Sequence, residues 1–114
     1  MKAIPLRFDG NSTYSPCSPA EATHLHMSSP GPIETIMLPV QIKGTRAGTG
    51  NWTWNGDVER PTIKPSVLNR FENYDNIIGN TFVNHIWITD GQVIFLGDCT
   101  HDLKGQTLDL IDSK

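Results

Sequence analysis

The 114-residue chain lacks most of the features that announce a function. It has only two cysteines, Cys17 and Cys99, and no Cys-x-x-Cys. A disulfide-dense scaffold and the common zinc-finger spacings are thereby excluded, and without an export signal both thiols are expected to stay reduced. Nine Lys and Arg against twelve Asp and Glu leave a formal net charge of −3, with no basic run to track a phosphate backbone, so no nucleic-acid partner is expected. No apolar stretch approaches the roughly 20 residues that span a bilayer. The opening "MKAIPLRFDG" has no signal-peptide core, which points to a soluble, cytoplasmic protein without a membrane partner. The stretch "GTRAGTG" lacks the Lys-Ser/Thr of a phosphate loop. No pair of acids stands out as a glycosidase pair.

What is present reads as β structure. The length suits one modest core, hence one domain over residues 1–114. Eight prolines, ten glycines and many Ser, Thr and Asn residues oppose long helices. The expected fold is mainly β, a compact small barrel or sandwich with a C-terminal hairpin and one short helical turn. Along the chain, "KAIPLRF" reads as an edge strand because Pro5 has no amide to give a ladder. Residues 9–22 read as a loop and "THLHM" as extended. Residues 33–42 read as a strand interrupted at Pro39, and "GTRAGTG" as a flexible connection. Trp52 and Trp54 precede an Asn55-Gly56 turn. In "RPTIKPSVL", Pro61 and Pro65 hold Ser66 on a stiff extended segment.

The clearest element is the hairpin "FVNHIWITDGQVIFLGDC", turned at Asp90-Gly91. A two-residue turn sets Thr89 opposite Gln92, Trp87 opposite Ile94, His85 opposite Leu96 and Val83 opposite Asp98. Alternation then places His85 and Asp98 on one face as diagonal neighbours. Asn84, Ile86, Ile88, Val93, Phe95 and Cys99 fall on the other, and a bulge near Gly97 would alter the arrangement. The tail "HDLKG" suits one helical turn closed by Gly105, followed by the extended "TLDLI".

Three kinds of chemistry fit these residues. Cys17, His24, His26 and Cys99, with His101, have the donor types for zinc, and both "HLH" and "CTH" can pinch one ion in extended chain; polar loop residues and one buried thiol are the more ordinary explanation. Ser66, His85 and either Asp98 or His101 have the types for nucleophilic hydrolysis, provided the fold brings "KPSVL" beside the hairpin. Otherwise Ser66 is a turn or backbone-bonding residue. The tryptophans read as core before they read as a carbohydrate or peptide groove.

The ordered blocks "WxWNGD", "RPTIKPSVL" and "HIWITDGQVIFLGDCTHDLKGQTLDL", over about residues 50–111, resemble a small phage and bacterial domain of unknown function often mislabelled in genomes as ammonia monooxygenase. Relatives of that domain occur in bacterial operons for ubiquitin-like conjugation as peptidase components. The resemblance implies a peptidase-like hydrolase acting by a Ser–His relay on a peptide or ubiquitin-like protein tail, with no required cofactor. If phage-encoded, it would work in the host cytoplasm. Carried over residue by residue, it points to Ser66, His85, Asp98 and His101. We assign Ser66 as nucleophile, His85 as base and Asp98 as its orienting group, with His101 able to replace either partner. Relatives carry a Cys directly before the hairpin His, where this chain has Asn84, which weakens a zinc site here. A non-catalytic phage accessory protein and a zinc-stabilised binding module are the alternatives, and oligomeric state leaves no mark in the sequence.

Overall fold

The structure, a computed structural model, describes residues 1–42 and 52–112. The connection expected over residues 44–50 lies outside the described residues. The strands are β1 (Ala3–Phe8), β2 (Tyr14–Pro16), β3 (His24–Ser28), β4 (Thr35–Gln41), β5 (Trp52–Trp54), β6 (Ile63–Phe71), β7 (Phe82–Thr89), β8 (Gln92–Phe95) and β9 (Thr107–Asp109). They form one open sheet in the order β2-β1-β3-β4-β5-β6-β7-β8-β9. Among the described strands only β4 and β5 run parallel. The mainly β expectation therefore holds. The last edge curls back, since Ile111 beyond β9 donates its amide to Ser28 at the end of β3 and forms an isolated bridge there.

Period-two patterning explains why these segments are strands. In β3, Leu25 and Met27 are fully buried while His24, His26 and Ser28 are not; in β8, Val93 and Phe95 are buried and Ile94 is less so. Leu25, Met27, Val40, Trp54, Ile63, Ile86, Ile88, Val93 and Phe95 join one core cluster. Each such buried side chain is worth about 1.5–3 kcal/mol. Exposed ion pairs such as Arg7–Glu21 and Arg70–Glu72 are worth about 0–1 kcal/mol, so the core decides stability.

Three expectations need correction. β1 is not an edge strand, because β2 covers its outer side. Pro5 is tolerated there because its carbonyl takes the Cys17 amide, placing its missing donor on the β2 side beyond that strand's last pair, Leu6 with Pro16. Residues 9–22 are not all loop: they hold β2 and a 3-10 turn at Pro19–Glu21, and the Tyr14 ring packs on Phe8 and His24. β4 runs through Pro39 without a break. The amide of Val40 points to Thr23, so that of its neighbour would point away from β3, and no β3 bond is lost at Pro39.

The hairpin turns at Asp90 (φ 51) and Gly91 (φ 77), two left-handed residues as a type I′ turn requires. Its register is Thr89 with Gln92, Ile88 with Val93, Trp87 with Ile94 and Ile86 with Phe95. Beyond Leu96 the expected ladder fails, and Val83 meets Thr100 rather than Asp98. Residues 101–105 make a hydrogen-bonded turn where a helical one is expected, with the Lys104 amide on the His101 carbonyl at 3.3 Å and Gly105 at φ 80, and the short 3-10 turns lie instead at Pro19–Glu21 and Tyr74–Asn76.

His101 ties that turn to the sheet. Its Nε2–H donates to Oδ1 of the buried Asn84 at 2.8 Å, and its Nδ1 accepts the Leu103 amide at 3.3 Å. Its ring stacks on Phe82 and stands edge-on to Phe95. Both nitrogens are committed in the neutral form, and burial lowers its pKa, with Asp102 opposing weakly. The folded state thus binds this proton less readily than the unfolded chain does. Stability from this group is complete above the ordinary histidine pKa near 6.5 and declines as pH falls below it. Urea midpoints measured between pH 7.5 and 5.5 should fall for the natural chain, and fall less for His101→Gln; equal declines would show that His101 contributes nothing.

Candidate active site

The site begins with a break in the ladder between β6 and β7. Ile63 pairs with Ile88 and Val67 with Ile86, so four steps along β6 match two along β7. The two surplus residues lie in "KPS", where Pro65 has no amide to offer a ladder. Ile63 and Val67 both remain buried, so the even insertion restores the facing of the strand. Ser66 is carried out on the opposite face, the face of His85.

There its hydroxyl lies 2.9 Å from Nε2 of His85. On the other side of the ring, Nδ1 lies 3.0 Å from Oδ2 and 3.2 Å from Oδ1 of Asp98. An ionised carboxylate only accepts, so Nδ1 carries the proton and donates to Asp98. Nε2 is then the acceptor for the Ser66 O–H. The His85 side chain is 25% exposed and that of Asp98 59%, so the imidazole is sheltered while the carboxylate stands largely in water.

Asp98 reaches that position because β8 ends at Phe95 and the following chain turns out over the imidazole. Leu96 donates its amide to the His85 carbonyl at 2.9 Å, and then side chains take over the ladder. The Cys99 thiol accepts the His85 amide at 3.3 Å and donates to the His85 carbonyl at 3.3 Å. Thr100 Oγ1 accepts the Val83 amide at 3.0 Å, and the Thr100 amide donates to the Val83 carbonyl at 3.0 Å. A second clamp holds the serine, for the Trp52 indole N–H donates to the Ser66 carbonyl at 3.3 Å. The sequence offers Cys99 as a metal ligand or a buried thiol and Trp52 as core or groove. Nothing in the sequence marks their backbone contacts, which depend on pairing between distant strands.

Ser66, His85 and Asp98 are thus brought together. His101 is not with them: it bonds Asn84, whose side chain lies on the buried face of β7 while that of His85 lies on the other. The proposed zinc set also comes apart. Cys99 belongs to the core and Cys17 packs against it, whereas His24 and His26 flank the buried Leu25 and Met27 and so face the other way. Both cysteines are free thiols. Among the described residues no group of three or more His, Cys, Asp or Glu could hold a metal ion. Trp54 is fully buried in the core, and Trp52 packs partly buried beside it.

The site is open. Cavities of about 510, 440 and 190 Å³ are lined respectively around Ser28 and Ile111, around Lys2 and Asp109, and around Trp54 and Lys64. None of the three includes Ser66, His85 or Asp98. Among the described residues no helix is long and apolar enough to cross a membrane.

No curated protein and no solved structure matches the chain. A family model does, over residues 3–96, and its description is "Bacterial ubiquitination-like system serine protease (BubE)". With most of its length covered by that match, the chain belongs to the BubE family of serine proteases of bacterial ubiquitination-like systems.

Proposed function

We propose that the chain is a serine peptidase in which Ser66 is the nucleophile, His85 the general base and Asp98 the group that orients it. Its substrate is the extended tail of a ubiquitin-like protein. The observation that carries the reading is the 2.9 Å approach of the Ser66 hydroxyl to an imidazole whose other nitrogen is held by a carboxylate. The family supports the reaction class and a protein substrate. In this reading residues 1–114 form one domain and act in the cytoplasm.

The steps follow from the proton positions. Ser66 Oγ attacks the scissile carbonyl carbon as its proton passes to Nε2 of His85, and the imidazolium so formed is stabilised by Asp98. Nε2–H then protonates the departing amine, the C–N bond breaks, and an acyl ester remains on Ser66. Water enters, gives its proton to Nε2 and releases the carboxylate, and His85 returns the proton to Ser66.

Ser66→Ala and His85→Ala should each lower kcat by about 10⁴-fold or more, and Asp98→Ala by less, on the order of 10²–10³-fold, because water already solvates much of that carboxylate. Cleavage of a ubiquitin-like protein from the same kind of system, carrying a C-terminal extension, is the assay. Loss of labelling by an alkyl fluorophosphonate in Ser66→Ala is the companion measurement. Full cleavage by both the Ser66 and the His85 variants would end the reading.

Cys99 acts through the His85 backbone. Cys99→Ala strands a buried amide, which costs about 1–3 kcal/mol, whereas Cys99→Ser keeps a donor and an acceptor. The alanine variant should show the lower Tm and a kcat roughly ten-fold or more below that of the serine variant, with KM little changed. Equal kcat in the two would show that the thiol only fills space.

A further inference from the structure

The direction of the backbone groups on β7 determines where those of β6 point. Val83 and His85 direct their amides and carbonyls to Leu96, Cys99 and Thr100, on the β8 side. In an antiparallel ladder successive residues alternate, so Phe82, Asn84 and Ile86 face β6. Their partners there are Phe71, Asn69 and Val67. Leu68 and Arg70, opposite His85 and Val83, must then turn their amides and carbonyls away from β7. The Ser66 carbonyl gives an independent check: it lies in the same alternation and is bonded on that outer side, by the Trp52 indole.

Strand β5 pairs with β6 only at Ile63 and Lys64. Among the described residues no strand pairs with β6 beside Leu68 and Arg70. A free strand edge is a template for another chain, and natural edges are usually blunted by bulges, prolines or cover. Here the bulge and Pro65 lie on one side of Ser66, and on the other lies an edge that no described strand pairs. On the face that Ser66 shares with His85, the Leu68 side chain is 54% exposed.

We propose that the substrate binds as an added β-strand on this edge, its backbone bonded to the amides and carbonyls of Leu68 and Arg70, so that its scissile carbonyl reaches Ser66. This rests on the peptidase reading and deepens it by assigning the form of the substrate. The occupant is an extended, unstructured polypeptide segment, because only a chain with both backbone groups free can complete such a ladder. The exposed Leu68 side chain gives that segment an apolar contact beside the scissile bond. Recognition then falls mainly on the backbone and only weakly on side chains.

Two phosphonates separate the two claims. An alkyl fluorophosphonate forms a bond from Ser66 Oγ to phosphorus, releases fluoride and carries no amide. A tetra-alanine diphenyl phosphonate forms the same bond, releases phenoxide and brings a peptide backbone. Amide hydrogen exchange followed by NMR on the full chain should show Leu68 and Arg70 slowed about ten-fold or more in the peptide adduct relative to the alkyl adduct, with Val67 and Asn69 changed less than about two-fold. If both reagents label Ser66 and the Leu68 and Arg70 amides do not slow, the docking edge is refuted while the nucleophile stands. The edge is equally refuted if those two amides already exchange as slowly as Val67 and Asn69 in the free protein. If neither reagent labels Ser66, the peptidase reading fails and the docking edge falls with it.

Discussion

Everything at the site depends on the pairing of β6 with β7. That ladder aligns Leu68 with His85 over a run of matched residues from Val67 to Phe71, and the two surplus residues before it place Ser66 where its hydroxyl meets the imidazole. A one-residue surplus would have turned every later side chain of β6 to the other face, burying Leu68 and exposing Val67. An even insertion preserves the core and still displaces the serine. The core supplies the rigidity that holds this spacing, since Val67, Ile86 and Ile88 are all buried beneath it.

The far side of the imidazole poses a different problem. A carboxylate must stand over the ring, yet the strand that would carry it cannot leave His85 and Val83 with unbonded amides. The chain after Leu96 resolves this with side chains: the Cys99 thiol and the Thr100 hydroxyl accept the two amides, freeing residues 97 and 98 to turn outward. A sulfur acceptor at 3.3 Å is a weaker partner than a carbonyl, but an empty buried amide would cost about 1–3 kcal/mol. The weaker bond is therefore much better than none.

Local signals made part of this legible and non-local pairing hid the rest. The Asp90-Gly91 turn and the strict alternation beside it were enough to sort Asn84, Ile86, Ile88, Val93, Phe95 and Cys99 onto the buried side, because turn chemistry and patterning are properties of neighbouring residues. Alternation does not carry past Gly97 to Val83, because there the Thr100 side chain and backbone replace the regular ladder. Prolines misled at Pro5 and Pro39, since a missing amide matters only if it points at a partner, and that depends on strand order. The encounter of Ser66 with His85 links residues 19 apart through a ladder that no local pattern specifies. Residue types and the hairpin register offer the pair only on the condition that the two segments meet, and the resemblance of the ordered blocks to a known family strengthens that reading.

The two histidines of the C-terminal region show how environment divides chemistry between like side chains. The ring of His101 lies between Phe82 and Phe95, with both nitrogens bonded, one to Asn84 and one to the Leu103 amide. Adding a proton there would turn an acceptor into a donor facing another donor. His85 has its protonated nitrogen against a carboxylate and its other nitrogen against a hydroxyl that can give up a proton. Each nitrogen of His85 thus has a polar side-chain partner, whereas a proton added to His101 meets an amide and two aromatic rings. The partners and burial of His101 thus favour its neutral ring and serve the fold, whereas the two nitrogens of His85 join the hydroxyl of one strand to the carboxylate beyond another.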